Sequence, residues 1–198
     1  MVHDFSRLNV MVASGDQQAR PLIAALLRAG GIEKLDVCAD GKEALDDLAR
    51  KTIDILVVDW ELGSLSGLEL VRRLRNEASS PNPTVQIIMI TAFAERHNIE
   101  AARDAGVSEL LAKPVSSDGL FKRIVNILEN PRPFIRVGDY FGPDRRRHYS
   151  EFLGEERRGT APDIVETQSI EERKSASRQV METIAERQRI ERGTSRQS

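Results

Sequence analysis

Three polar residues close three apolar runs in this chain. Asp59 follows Ile55-Leu56-Val57-Val58, Thr91 follows the run from Gln86 to Ile90, and Lys113 follows the run from Glu109 to Ala112. An acid, a hydroxyl and an ammonium brought together would make a small phosphoryl-handling site. A carboxylate can accept a phosphoryl group as an acyl phosphate. The transition state of that transfer spreads negative charge over its equatorial oxygens, which a lysine and a divalent cation hold. The same lysine can instead pair with Asp59 and neutralise it with no chemistry at all. Gly63, Ser64, Ser66 and Gly67 make the stretch after Asp59 a turn-rich loop, as expected beyond a buried strand. Trp60 and Glu61 would line the mouth of the pocket.

Positioning these residues requires a particular set of elements. Apolar runs predict strands over 8–13, 35–39, 55–59, 86–91 and 109–112. Helical spacing predicts helices over 17–29, 41–50, 66–76, 95–105 and 116–130. Pro21 falls near the first turn of its helix, where it is tolerated; Gly30-Gly31 ends that helix, and Ser66 can cap the third. Five strands alternating with five helices imply a parallel sheet covered on both faces, with right-handed crossovers. In such open α/β sheets, functional groups gather beyond the carboxyl ends of the strands. Pro131 and Pro133 then break the last helix and mark a boundary.

Composition narrows the class. The chain has 198 residues, enough for one domain of about 120–150 residues and an extension. Its mean hydropathy is −0.38, and no apolar run reaches the length of about 20 residues needed to cross a membrane. Residues 1–7 lack the apolar stretch of a secretory signal, so the expected compartment is the cytoplasm. The single cysteine, Cys38, excludes an internal disulfide and reads as a buried filler. Residues 1–130 hold 15 Lys+Arg against 19 Asp+Glu, and residues 131–198 hold 14 against 12. Neither half has the strong basic field of a nucleic-acid-binding domain.

The segment from Asp54 to Gly67 with its central Asp59, then Thr91-Ala92, then Ala105-Gly106 and Lys113-Pro114, together resemble the receiver domain of two-component response regulators over residues 7–130. The resemblance implies a flavodoxin-like (βα)5 fold with strand order 2-1-3-4-5. It puts Asp59 at the phosphoacceptor position, Thr91 where a hydroxyl contacts the phosphoryl group, and Lys113 where an ammonium pairs with it. It also implies Mg²⁺, which takes one or two carboxylates and bridges to the phosphate.

Several positions depart from that pattern. The acidic pair that ends the first strand and holds the metal is replaced by Ser14-Gly15; Asp16 lies one residue beyond and is placed to cap the next helix. The aromatic that switches rotamer on the last strand is Leu110. Gly63 stands at the usual loop proline, and Ser66 at the usual acid before the loop glycine. These departures argue against phosphorylation of Asp59 and against a bound cofactor, Mg²⁺ belonging only to a pocket that still works.

Residues 131–160 read as a Pro/Gly/Arg-rich arm, and 161–198 as a polar tail with a helix over 169–192. Tyr140-Phe141-Gly142-Pro143-Asp144-Arg145-Arg146-Arg147 is echoed by Phe152-Leu153-Gly154-Glu155-Glu156-Arg157-Arg158. Each combines an apolar pair, a glycine turn, an acid and arginines able to grip carboxylate or phosphate. Similar tails follow stand-alone alphaproteobacterial receivers, extending the resemblance to about residue 147. The extension as a whole is expected to be largely irregular or helical.

The expected function is that of an atypical, stand-alone receiver. It would act without enzymatic turnover, through protein contacts made by its last two helices, with a histidine kinase or a downstream effector as partner. Two alternatives remain: a phosphorylatable regulator in a histidine kinase phosphorelay, and a nucleic-acid-associated regulator using Arg145, Arg146 and Arg147. The acids interleaved with these arginines make nucleic acid the weaker partner.

Overall fold

A computed structural model of the chain describes residues 4–76, 80–92, 95–145 and 163–165. Five strands and five helices alternate: β1 (Asn9–Ala13), α1 (Ala19–Ala29), β2 (Lys34–Cys38), α2 (Gly41–Arg50), β3 (Ile55–Asp59), α3 (Gly67–Asn76), β4 (Gln86–Thr91), α4 (Arg96–Asp104), β5 (Glu109–Ala112) and α5 (Ser117–Glu129). The strands form one parallel sheet in the order β2-β1-β3-β4-β5. The parallel sheet is the one expected from the alternation, and its order is the flavodoxin-like one that the resemblance implies.

Every residue of β3 is buried, which is why its sequence is continuously apolar rather than alternating: helices cover both faces of the sheet. Met11, Leu56, Val58, Leu70, Leu74, Ile87 and Met89 belong to one core cluster on one side of it. Each such side chain contributes about 1.5–3 kcal/mol through removal from water.

Local signals set the helix starts. Asp40 caps α2 by accepting the Lys42 N–H, Ser66 accepts the Glu69 N–H at 3.2 Å ahead of α3, and Ser116 accepts the Gly119 N–H at 3.1 Å. Helix α1 begins at Ala19 rather than 17, because Asp16 Oδ1 takes the Gln18 and Ala19 N–H groups at 2.9 and 3.0 Å.

The extension differs from expectation. Residues after Pro133, expected to be an irregular or helical arm, instead contain three short antiparallel strands: β6 (Phe134–Val137), β7 (Tyr140–Pro143) and β8 (Asp163–Val165), ordered β7-β6-β8. Gly138, at φ +55°, opens the two-residue turn between β6 and β7, a position of hairpin turns that glycine fills at no steric cost. Pro143 is tolerated because β7 lies at the edge of this sheet. Phe134 and Phe141 are buried, their ring centroids 5.7 Å apart. The expected helix over 169–192 and the second aromatic–arginine echo lie outside the described residues.

Candidate functional site

Parallel registration brings the ends of β1, β3, β4 and β5 to one edge of the sheet. Ala13 pairs with Val58, Asp59 with Ile90, and Thr91 with Ala112. Ser14, one residue beyond β1, therefore emerges beside Asp59, and Lys113, one residue beyond β5, beside Thr91.

Asp59 is 1% exposed, and a carboxylate so deeply buried needs compensating donors. Its Oδ2 accepts the Lys113 ammonium at 2.8 Å and the Ser14 hydroxyl at 3.0 Å. Its Oδ1 lies 3.4 Å from the Glu61 N–H. The Lys113 ammonium also sits 3.9 Å from Asp16 Oδ2, so it bridges the buried acid and the one at the rim. Thr91 is buried at the end of β4, and its carbonyl accepts the Lys113 N–H at 2.8 Å. Asp59, Thr91 and Lys113, singled out by their places at strand ends, thus converge.

The first loop closes onto the third. The Gly15 N–H donates to the Glu61 carbonyl at 3.3 Å, and a Cβ at Gly15 would stand 2.9 Å from the Gly63 nitrogen. Only glycine permits this backbone approach. From the other side, Asp40 Oδ2 accepts both the Ser64 N–H (3.0 Å) and the Ser64 hydroxyl (2.8 Å). Gly63 between them has φ +53°, a conformation L side chains rarely adopt.

Asp16 is engaged through its Oδ1 at the start of α1. Backbone bonds from Ala19 and Gln18, with Lys113 and Arg20 nearby, hold its carboxyl below the usual carboxylate range. That keeps it ionised and committed to the start of α1. The residues present do not fit a magnesium ion of the ordinary kind. Such an ion takes carboxylate oxygens, whereas here Asp59 is the one carboxylate ending a strand of this edge, its Oδ2 is paired with an ammonium, and neither Ser14 nor Gly15 offers a side-chain carboxylate. Among the described residues no three acidic, imidazole or thiol groups cluster as metal ligands.

Leu110 pairs with Met89 inside the sheet and packs partly buried against the core. Arg145 is turned inward to its own fold, pairing with Asp104 at 2.7 Å and stacking 3.6 Å above the Tyr140 ring; Arg146 and Arg147 lie outside the described residues. Cys38 is buried, and burial pushes its thiol up to about 12, so it packs as a neutral side chain. Two participants escaped the sequence reading: Arg20 donates to the Ser14 carbonyl at 2.8 Å, and Asp40 pins the third loop. Glu61, expected at the pocket mouth, closes the first loop through its carbonyl. Arg20 had a local signal, lying one helical turn beyond Asp16; the reach of Asp40 to Ser64 crosses the sheet edge and had none.

Known proteins agree with this architecture. Residues 10–125 match the family model of the response regulator receiver domain. The chemotaxis protein CheY of Pseudomonas aeruginosa is 30% identical over 122 residues, covering 62% of this chain and 97% of that protein. The receiver domain of Francisella response regulator 1452 has 31% identity and a TM-score of 0.54, covering 60% of this chain and 94% of that one. The receiver domain of a sensor histidine kinase from Pseudomonas aeruginosa PAO1, whose structure has a magnesium ion in the active-site cleft, has 27% identity and a TM-score of 0.52, with 60% and 94% coverage. No helix among the described residues is long and apolar enough to cross a membrane. With its sheet order, its strand-end residues and a family match over more than half its length, the chain belongs to the response regulator receiver domain family.

Proposed function

We propose that this receiver signals through protein contacts, with Asp59 held by Lys113 and Ser14 rather than used as a metal-assisted phosphoacceptor. The observation carrying this reading is the double engagement of Asp59 Oδ2, by an ammonium at 2.8 Å and a hydroxyl at 3.0 Å. An oxygen so engaged is a poor nucleophile, and the first loop offers only Asp16 at the rim, its Oδ1 engaged at the start of α1, to recruit a cation. Leu110 supports it further, since an aliphatic side chain gives Thr91 no ring to draw inward. The partner is a protein, a histidine kinase or a downstream effector, met through α4, α5 and the surface beside them.

Incubation with a small-molecule phosphodonor and Mg²⁺, followed by intact mass measurement, tests this. The expected result is the unmodified mass. A stable, Mg²⁺-dependent phosphoryl adduct that disappears in Asp59→Asn would establish the second reading, a working phosphorelay regulator. That reading draws support from the convergence of Asp59, Thr91 and Lys113 at one sheet edge.

A further inference from the structure

The hairpin β6–β7 docks at the edge of the sheet opposite Asp59, where helices α3 and α4 end and β4 and β5 begin. Its anchor is Arg75, an arginine in the last turn of α3 and 1% exposed. Arg75 donates to the carbonyls of Gly106 (3.0 Å), Pro83 (2.6 Å) and Val85 (2.8 Å), and its guanidinium lies 5.0 Å from the centre of the Phe134 ring. One side chain thereby ties the end of α3 to the start of β4, the α4–β5 turn and β6.

The α4–β5 corner is held at three further points. Arg145 reaches Asp104 at the end of α4, bonding its carboxylate at 2.7 Å. Gly142 meets Gly106 backbone to backbone: a Cβ on Gly142 would lie 2.8 Å from the Gly106 Cα, and one on Gly106 would lie 2.8 Å from the Phe141 carbonyl oxygen. Arg132 donates to the Ser108 carbonyl and lies 3.7 Å from Glu109 Oε1. The Asp104 grip falls on α4 itself, where Ala102 is the one buried residue; the other grips fall on the buried turn that follows it. A helix so thinly packed opens readily unless something outside it holds it.

At the other end of the same short strand stands Lys113. Strand β5 spans four residues, from Glu109 in contact with Arg132 to Ala112, and Lys113 follows. We propose that the β6–β7 hairpin is a strap that fixes the α4–β5 corner and, through β5, the placement of Lys113 against Thr91 and Asp59. The extension is then a regulatory input: releasing it at one edge of the sheet loosens the pocket at the other. The proposal does not depend on whether Asp59 accepts phosphate.

Amide hydrogen exchange on the full chain tests it, comparing the parent with Gly142→Val and with Arg145→Ala. The valine cannot fit against Gly106, so residues 134–143 lose protection. Exchange over 105–113, the Lys113 amide included, then accelerates by about tenfold or more, while β1 and β3 stay within about twofold of the parent. Arg145→Ala, which removes the Asp104 pair without adding bulk, gives the same pattern at smaller amplitude. Unchanged exchange at 105–113 after hairpin release would make the hairpin a passenger and overturn the proposal. Equal acceleration in β1 and β3 would show general destabilisation and overturn it as well. A hairpin that stays protected in Gly142→Val would mean that the backbone contact does not hold it, which also defeats the proposal.

Discussion

Ionising a buried carboxylate costs several kcal/mol unless its partners return that energy, and Asp59 relies chiefly on Lys113 to do so. The two partners are unequal: Asp59 is 1% exposed, whereas the Lys113 side chain is 23% exposed and can turn to water. Removing the lysine should therefore do more harm than removing the acid. Lys113→Met is expected to lower unfolding free energy by about 3–5 kcal/mol, the usual result of stranding a buried charge. Asp59→Asn should cost clearly less. In the double variant, the asparagine relieves the stranded charge, so the loss falls well short of the sum of the two. Urea denaturation of the four proteins checks this; additive losses would show that the pair does not act as a unit.

Loops rather than strands decide what the pocket can do. The β3–α3 loop is held by Gly15 from one side and by Asp40 from the other. Bonds from the Lys42 N–H, then the Ser64 N–H and hydroxyl, hold the Asp40 carboxyl below its ordinary value of 3.8. A folded-state pKa below the unfolded one means that the ionised form stabilises the fold. This contribution is complete above the unfolded value and fades as pH falls below about 3.8 through the depressed folded value. Asp40→Asn should therefore destabilise the protein at neutral pH, with the gap to the parent shrinking as acid is added below that point. Thermal melts across the acid range provide the measurement; a gap that persists unchanged at the lowest pH would remove the carboxylate from this role.

Across the molecule, the receiver sheet and the β6–β7 hairpin share Arg75. Phe134 is fully buried beside it, and truncating such a ring to alanine ordinarily costs about 3–5 kcal/mol. The loss is capped here at the docking free energy of the hairpin, because the receiver can shed the hairpin rather than keep a cavity. Phe134→Ala should thus unfold at lower urea and expose residues 134–143 to proteolysis before the sheet melts. A single transition with no early cleavage would mean that the hairpin and the sheet are one cooperative unit.

The five-stranded sheet was legible from sequence because its causes are local. Apolar runs set the strands, helical spacing the helices, and Ser66 a cap. The convergence of Asp59, Thr91 and Lys113 followed from the same pattern, since each ends a strand and parallel strands end together. The hairpin had a local signal too, in Gly138-Asp139 between Val137 and Tyr140, but the prolines and arginines around it read as an irregular arm. Other features had no local signal. The Ser14 hydroxyl meets Asp59 across 45 positions. Arg75 looks like any polar residue near a helix end until carbonyls from Pro83, Val85 and Gly106 surround it. Sequence alone determined which groups stand at the sheet edge, because strand termini are local events. Only the tertiary structure decided that Asp59 is already paired, that Gly15 shuts the first loop, and that an arginine ties the extension to the opposite edge, because each depends on distant segments reaching hydrogen-bonding distance.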